Sequence, residues 1–419
     1  MTGRIWCRRG ALGLFVALVT LLTGCWDRSE VEDMLFPVTV AVDAGTSRHY
    51  RVTMRVPIPG GVRSGVLGGQ GAGSARGDIL SAESDSVSQA MLIINSSVAR
   101  RMTLRHMRSL LVGEELARRG LHDLFAEMRR NGEIRQTVAF LVARGRAADV
   151  LKTSRYTAET NPAKVPEGML IVEKYLHLAP PIRLHHMINR TAGVGIDAFA
   201  PVVAINRRLT GDDPEGGGGE SESGYAGQLE RFDGNPVEVA GTAIFRGERM
   251  VGLLTVDETQ ALLALRGEMG KAYMTIPHPK QKTRRVLVRF QQENKPISRV
   301  ELTPAGPRGT ASLLFEGEVL SGEADYRDQM KRMALEETAA QFMTDTAHSV
   351  LRKLKAWESD PVGYGLKIRR RFGTWAEWKA FRWEKHVGAM EIRVTARMRV
   401  RRFGLVMGSE EVRTGAPSK

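Results

Sequence analysis

The chain has 419 residues, with 61 basic against 47 acidic side chains and a formal charge of +14. That length supports two or three domains and a sizeable core. Two cysteines, Cys7 and Cys25, provide no framework for a disulfide-stapled fold or a cysteine-rich zinc site.

The chain opens with Arg4, Arg8 and Arg9, followed by an uncharged apolar run over residues 11–22. A run of that length is too short to span a bilayer and reads as the h-region of a secretory signal. Leu22-Thr23-Gly24-Cys25 closes it as a lipobox, the pattern of bacterial lipoprotein precursors. In proteins of that kind the cysteine thiol receives a diacylglyceryl group and the chain is cut just before it. Residues 1–24 are therefore expected to be a signal peptide and Cys25 the lipidation site. Loss of the three arginines leaves +11. A basic exported body gains attraction to an anionic lipid surface. Export argues against the nucleic-acid partner that such charge suggests in a cytoplasmic protein.

Alternating Val38, Val40 and Val42, then Val52, Met54 and Val56, predict strands over 38–43 and 50–57 around a turn at Asp43-Ala44-Gly45. Residues 60–77 are a Gly/Ser/Arg tract that reads as a flexible loop and lacks the GxxxxGK[ST] order of a phosphate cradle. Ser86 opens a helix carrying Val87, Met91, Ile94 and Val98 on one face, with Ser96-Ser97 inside it. A buried strand over 106–113 and one amphipathic helix over 114–130, with Leu116, Leu121, Leu124 and Met128 inward, follow. A strand over 134–142 and a short helix over 146–152 complete an alternation that predicts a mixed sheet with helices packed on it.

Residues 211–224, with four consecutive glycines and several acids, read as a flexible linker or long surface loop. Beyond it, 237–245 and 249–256 flank Arg246-Gly247-Glu248 as a hairpin. Strands are expected over 272–276, 285–290, 297–302 and 311–320. A long helix over 324–357 carries Tyr326, Met330, Met333, Met343, Val350 and Trp357 in an apolar stripe. A segment with Trp375, Trp378 and Trp383 and a closing strand over 390–400 end the pattern. The expected fold class is α+β and multidomain, with mixed sheets and packed helices and a C-terminal antiparallel sheet with one long helix. The expected divisions are 25–208, a linker over 209–231, a C-terminal domain over 232–407 and a tail over 408–419.

Gly24-Cys25-Trp26-Asp27-Arg28-Ser29-Glu30-Val31-Glu32, with a strand ending in Val42-Asp43, resembles the start of the Ger(x)C family, the lipoprotein C subunits of spore germinant receptors. The resemblance continues through Arg101, His106, Val112-Gly113-Glu114-Glu115-Leu116-Ala117, Gly120-Leu121 and Arg129-Arg130-Asn131-Gly132-Glu133-Ile134-Arg135. It returns at Val142-Ala143-Arg144-Gly145, in the hairpin around Gly247, and at Asp360-Pro361-Val362-Gly363-Tyr364-Gly365. One departure stands just before the first helix, where Glu83-Ser84-Asp85-Ser86 replaces the usual Glu-Gly pair and Thr. The resemblance implies a non-enzymatic subunit tied by a lipid anchor to the outer face of the plasma membrane, which is the inner membrane of the spore. It implies two integral membrane partners, the A and B subunits, in a complex that responds to nutrients. Trp26 and Asp27, beside the anchor, are candidates for holding the protein at those partners.

Groups able to do chemistry are sparse. His177, His185 and His186 lack metal spacing, since adjacent side chains are expected to point apart. No GxSxG motif exists that would activate a serine, and Glu336-Glu337 are expected on the wet face of the long helix. No catalytic residue, metal site or cofactor is expected. Arg369, Arg370 and Arg371 interleave with Trp375 and Trp378 as a candidate partner or membrane surface, the alternative being tryptophans in a core with arginines around them. A second reading of the whole chain is a lipid-anchored solute-binding protein of a transporter. The C-terminal region lacks the repeated strand–helix alternation that its two lobes need.

Overall fold

The structure is a computed structural model and describes residues 30–57, 78–154, 176–210, 224–281, 283–321, 326 and 328–402. Cys25, Trp26 and Asp27, the expected loop over 60–77, the linker over 211–223 and the tail over 408–419 lie outside the described residues.

The first region runs β1 (Met34–Leu35), β2 (Thr39–Ala44), β3 (Tyr50–Val56), β4 (Asp78–Ser84), α1 (Val87–Asn95), β5 (Arg101–Met102) and β6 (Ser109–Gly113). It continues through α2 (Glu114–Arg119), α3 (His122–Arg130), β7 (Ala139–Ala143), α4 (Ala147–Thr153), α5 (Leu184–Thr191), β8 (Phe199–Ile205) and α6 (Arg207–Thr210). The hairpin β9 (Val237–Arg246) and β10 (Arg249–Leu254) ends it. Eight of these strands form one sheet in the order β10-β9-β8-β7-β6-β2-β3-β4. Its centre, β2-β6-β7-β8, is parallel, and antiparallel strands extend both sides. Every residue of β6 and β7 is buried, which is why both read as continuous apolar runs rather than alternating ones.

The sheet crosses the boundary expected at 209–231. Strand β9 pairs with β8, so the hairpin that opens the expected C-terminal domain is hydrogen-bonded into the first sheet. The single helix expected over 114–130 is two, because the chain turns at Gly120 with φ +126°, a conformation a side chain disfavours. Ser86 caps α1 as expected, its hydroxyl accepting from Gln89 N at 3.1 Å. The helix stops at Asn95, so Ser96 and Ser97 lie past its end and donate to Ile93 O and Ile94 O.

The second region contains α7 (Val256–Arg266), β11 (Lys271–Pro277), β12 (Arg285–Gln292), β13 (Ile297–Thr303), β14 (Gly306–Val319) and α8 (Gln329–Ala356). Then come α9 (Tyr364–Ile368), α10 (Trp375–Phe381) and β15 (Glu391–Arg402). Strands β11 to β14 pair antiparallel, as expected, but β15 joins β14 in parallel because the long α8 crossover returns the chain in the same direction.

Helix α8 starts at Gln329, capped by Asp328 Oδ1, which accepts from Met330 N and Lys331 N at 2.8 and 3.2 Å. Met330 and Met333 are therefore not in the buried stripe; they are 76% and 53% exposed. The stripe begins at Leu335 and continues through Ala339, Met343, Ala347, Val350 and Leu354. Three polar residues of α8 accept from β15 backbone N–H groups. His348 Nε2 takes Val394 N at 3.0 Å, Thr344 Oγ1 takes Ala396 N at 3.1 Å, and Glu336 Oε1 takes Val400 N at 2.7 Å. Glu336 thus faces the strand rather than water, while Glu337 is exposed. Satisfied in this way, those N–H groups do not template another strand.

One contiguous apolar core runs from Val40 in β2 to Val400 in β15, so the two sheets share their interior. A smaller core, with Leu111, Leu141, Val150, Leu151 and Val203, lies under α4 on the opposite face of the first sheet.

Candidate functional site

Where the sheets meet, the chain leaving α8 is held by two aspartates, Asp360 buried and Asp197 partly buried. Ser359 Oγ donates to Phe245 O in β9 at 2.6 Å. Asp360 and Asp197 bond reciprocally: Asp360 N donates to Asp197 Oδ2 at 2.8 Å, and Asp197 N to Asp360 O at 3.0 Å. Asp197 Oδ1 also accepts from Gly247 N, in the β9–β10 turn, at 2.9 Å. The Asp360 carboxylate accepts four bonds. Oδ1 takes Gly363 N and Tyr364 N at 2.8 and 3.1 Å; Oδ2 takes Gly365 N at 2.8 Å and Trp383 Nε1 at 3.0 Å. One side chain therefore shapes the Asp-Pro-Val-Gly turn, starts α9 and orients a tryptophan.

Two glycines are required here. A Cβ on Gly365 would lie 2.5 Å from Trp383 Nε1 and 2.6 Å from Gly195 O. A Cβ on Gly195, whose φ is +95°, would lie 2.6 Å from the Trp378 ring. Their absence lets Trp378 and Trp383 stack over the joint at 6.4 Å, joined by Phe372 and Phe381.

Burial raises both carboxylates' affinity for a proton. It pushes Asp360 up to about 6, outweighing its backbone donors, with Asp197 nearby adding to the effect; burial likewise raises Asp197. An unfolded aspartate titrates near about 3.9. Between those values the folded chain holds more protons than the unfolded one, so the Asp360 contribution is favourable at low pH and is lost as pH rises through about 6. Asp360→Asn does not titrate. The stability difference between wild type and this variant should widen by about 2–3 kcal/mol as pH falls from 6.5 to 4. Urea unfolding of both proteins across that range measures it, and a constant difference would contradict the burial account.

The candidate surface residues separate. Trp378 is fully buried, its indole N–H donating to Val194 O at 3.3 Å, and so does not belong to a surface. Trp375 is 46% exposed, with the Arg369 guanidinium 4.6 Å and Lys379 Nζ 5.7 Å from its ring. Arg369, Arg370 and Arg371 form an exposed 3-10 turn beside it.

The histidines are engaged locally. The His185 and His186 rings lie 4.0 Å apart rather than pointing away from each other. His185 Nδ1 bonds Gln136 O at 2.9 Å, and His186 Nδ1 accepts from Arg183 N at 3.2 Å. Burial lowers His186 to about 4, so it is neutral at pH 7. His177 Nδ1 bonds Lys271 O, and its Nε2 accepts from Gly270 N. Among the described residues no group of three or more His, Cys, Asp or Glu could hold a metal ion.

Sequence reasoning did not single out Asp197 and Asp360 as a pair. The Asp-Pro-x-Gly turn was the available signal for Asp360; its partner lies 163 residues away. Asp43, near the end of β2 and at the start of the expected turn, accepts Ala147 N and Ala148 N at 2.7 and 2.9 Å and so caps α4. A Cβ on Gly113 would sit 2.0 Å from Asp43 Oδ1, which explains the glycine there.

Fold and joint together define an α+β protein of two large sheets with a shared core, linked at the Asp197–Asp360 network. Two family models match it: "Spore germination protein N-terminal domain" over residues 27–205 and "Spore germination B3/GerAC like, C-terminal" over 240–404. The chain belongs to the Ger(x)C family and is a germinant receptor C-subunit-like protein.

Relatives match almost end to end. The putative spore germination protein YfkR of Bacillus subtilis (strain 168) is 26% identical over 92% of this chain and 94% of its own. Spore germination protein KC of the same organism is 22% identical over 94% and 95%. The crystal structure of the GerBC protein superposes with a TM-score of 0.50 at 17% identity, covering 86% of this chain and 96% of that one. That likeness carries the fold.

Proposed function

We propose that this protein is a lipid-anchored, non-enzymatic C subunit of a spore germinant receptor. It acts with integral membrane A and B subunits in nutrient-triggered germination. The observation that carries this reading is the match of both family models, one to each region. The lipobox ending at Cys25 supports attachment to the outer face of the plasma membrane, the inner membrane of the spore. Among the described residues no helix is long and apolar enough to cross a membrane, so attachment on this reading is through the acyl chains.

The reading assigns the joint a mechanical role: it keeps the two sheets as one body against membrane neighbours. Arg369, Arg370, Arg371 and Trp375 are its candidate contact surface, suited to headgroups or to an acidic partner. Spores lacking this chain should fail to lose refractility with nutrients yet germinate under a trigger that bypasses receptors. Re-expression of the chain should restore the nutrient response. Normal nutrient germination of the null spores would remove the proposal.

A further inference from the structure

The carboxyl ends of β7 and β8 open onto a cavity of about 450 Å3. Among the described residues its wall carries Arg144, Arg146, Arg207 and Arg208 together with Asp149. Arg144 and Arg146 lie in the turn from β7 to α4, Arg207 and Arg208 lie on α6, and Ala226 to Gln228 close the third side. This is the edge where loops leave parallel strands of an open sheet, the usual position of a ligand crevice.

The arginines are arranged by the fold. Arg144 Nη1 donates to Ala226 O at 3.0 Å, its guanidinium lies 5.7 Å from the Tyr225 ring, and its backbone N–H donates to Val203 O at 2.9 Å. Arg208 Nη1 stands 3.7 Å from Glu230 Oε1. The first N–H groups of α4 turn to Asp43 instead of the cavity. Attraction of an anion into this space therefore comes from the guanidinium groups. Like charges gathered in a concave site raise the local anion concentration. Guanidinium forks pair with phosphate oxygens two at a time. Arginines on two sides of one cavity suit a tetrahedral anion, which offers oxygens in several directions. The volume falls within the range of small-molecule sites.

We propose that this cleft binds a phosphate group carried by a small ligand. The inference goes beyond the receptor reading, since binding is measured on the isolated protein. A free phosphate ester and a phospholipid headgroup present the same chemistry, and separate titrations distinguish them. The full chain in detergent is titrated calorimetrically with inorganic phosphate, with glycerol 3-phosphate and with dihexanoylphosphatidylglycerol below its micelle concentration. The same titrations are run on Arg146→Ala/Arg207→Ala, on the charge-retaining Arg207→Lys and on Arg299→Ala, an exposed site on β13. Saturable binding by wild type and R299A, weakened about tenfold or more in the double variant and less in R207K, supports the site. Binding of the free phosphates assigns a soluble ester; binding of the lipid alone assigns a headgroup. Absence of binding in all three titrations overturns the proposal, as does equal affinity in wild type and R207K together with the double variant.

Discussion

Asp360→Ala should destabilise the protein by about 3–5 kcal/mol, the scale for removing one member of a buried charged network. The loss would strand the N–H groups of Gly363, Tyr364 and Gly365 and the Trp383 indole N–H, all of which now end on that carboxylate. An unpaired buried donor costs about 1–3 kcal/mol, and relaxation or an entering water recovers part of the sum. The comparison variant is Glu358→Ala, two residues away. Glu358 pairs with Arg246 at 2.6 Å, but both side chains are 47% exposed, so its loss should cost less than about 1 kcal/mol. Urea unfolding of the two variants gives the contrast directly. Similar midpoints would show that the joint is not what holds the sheets together. The same variant should open α9 and the 359–365 turn to proteolysis first, since that is where its donors lie.

Cys25→Ala should transfer the protein from the membrane fraction to the soluble one. Each buried methylene contributes about 0.8 kcal/mol, so two or more acyl chains exceed what surface charge supplies. The remaining positive charge would give a weak attachment that falls with added salt, because screening shortens its reach to about 8–10 Å at ordinary ionic strength. Flotation of extracts at low and high salt separates the two contributions. Germination of the same spores tests whether attachment matters to function. If C25A stays membrane-bound in high salt and its spores germinate normally, both the lipidation of Cys25 and its role in holding the protein at its partners are wrong.

Elements with their own local signal were legible in the sequence. The Ser86 cap, the fully buried β6, the Arg246-Gly247-Glu248 turn and most of α8 follow from rules that act over a few residues. Helix α7 escaped because it is buried nearly all round, from Val256 to Leu265, and so shows no amphipathic period. Its capping box, Thr255 with Glu258, was the signal that could have found it. Strand β4, Asp-Ile-Leu-Ser-Ala-Glu-Ser, is too polar to stand out, and its place is set by pairing with β3.

The site residues divide in the same way. Trp375 and Trp378 lie three apart in one short helix, yet one is half exposed and the other sealed against Gly195. Composition does not separate them; the long-range fold does. The Asp197–Asp360 pair and the arginine cleft depend on which strands become neighbours, a property of topology that no window of the sequence carries.

A C subunit of the kind proposed must assemble with two integral membrane subunits. The most direct measurement is affinity purification of the tagged protein from detergent-solubilised spore membranes, with the retained proteins identified and quantified by mass spectrometry. Two polytopic membrane proteins should be recovered in constant proportion to the bait. A transporter permease with its ATPase, or no partner at all, would contradict that assembly.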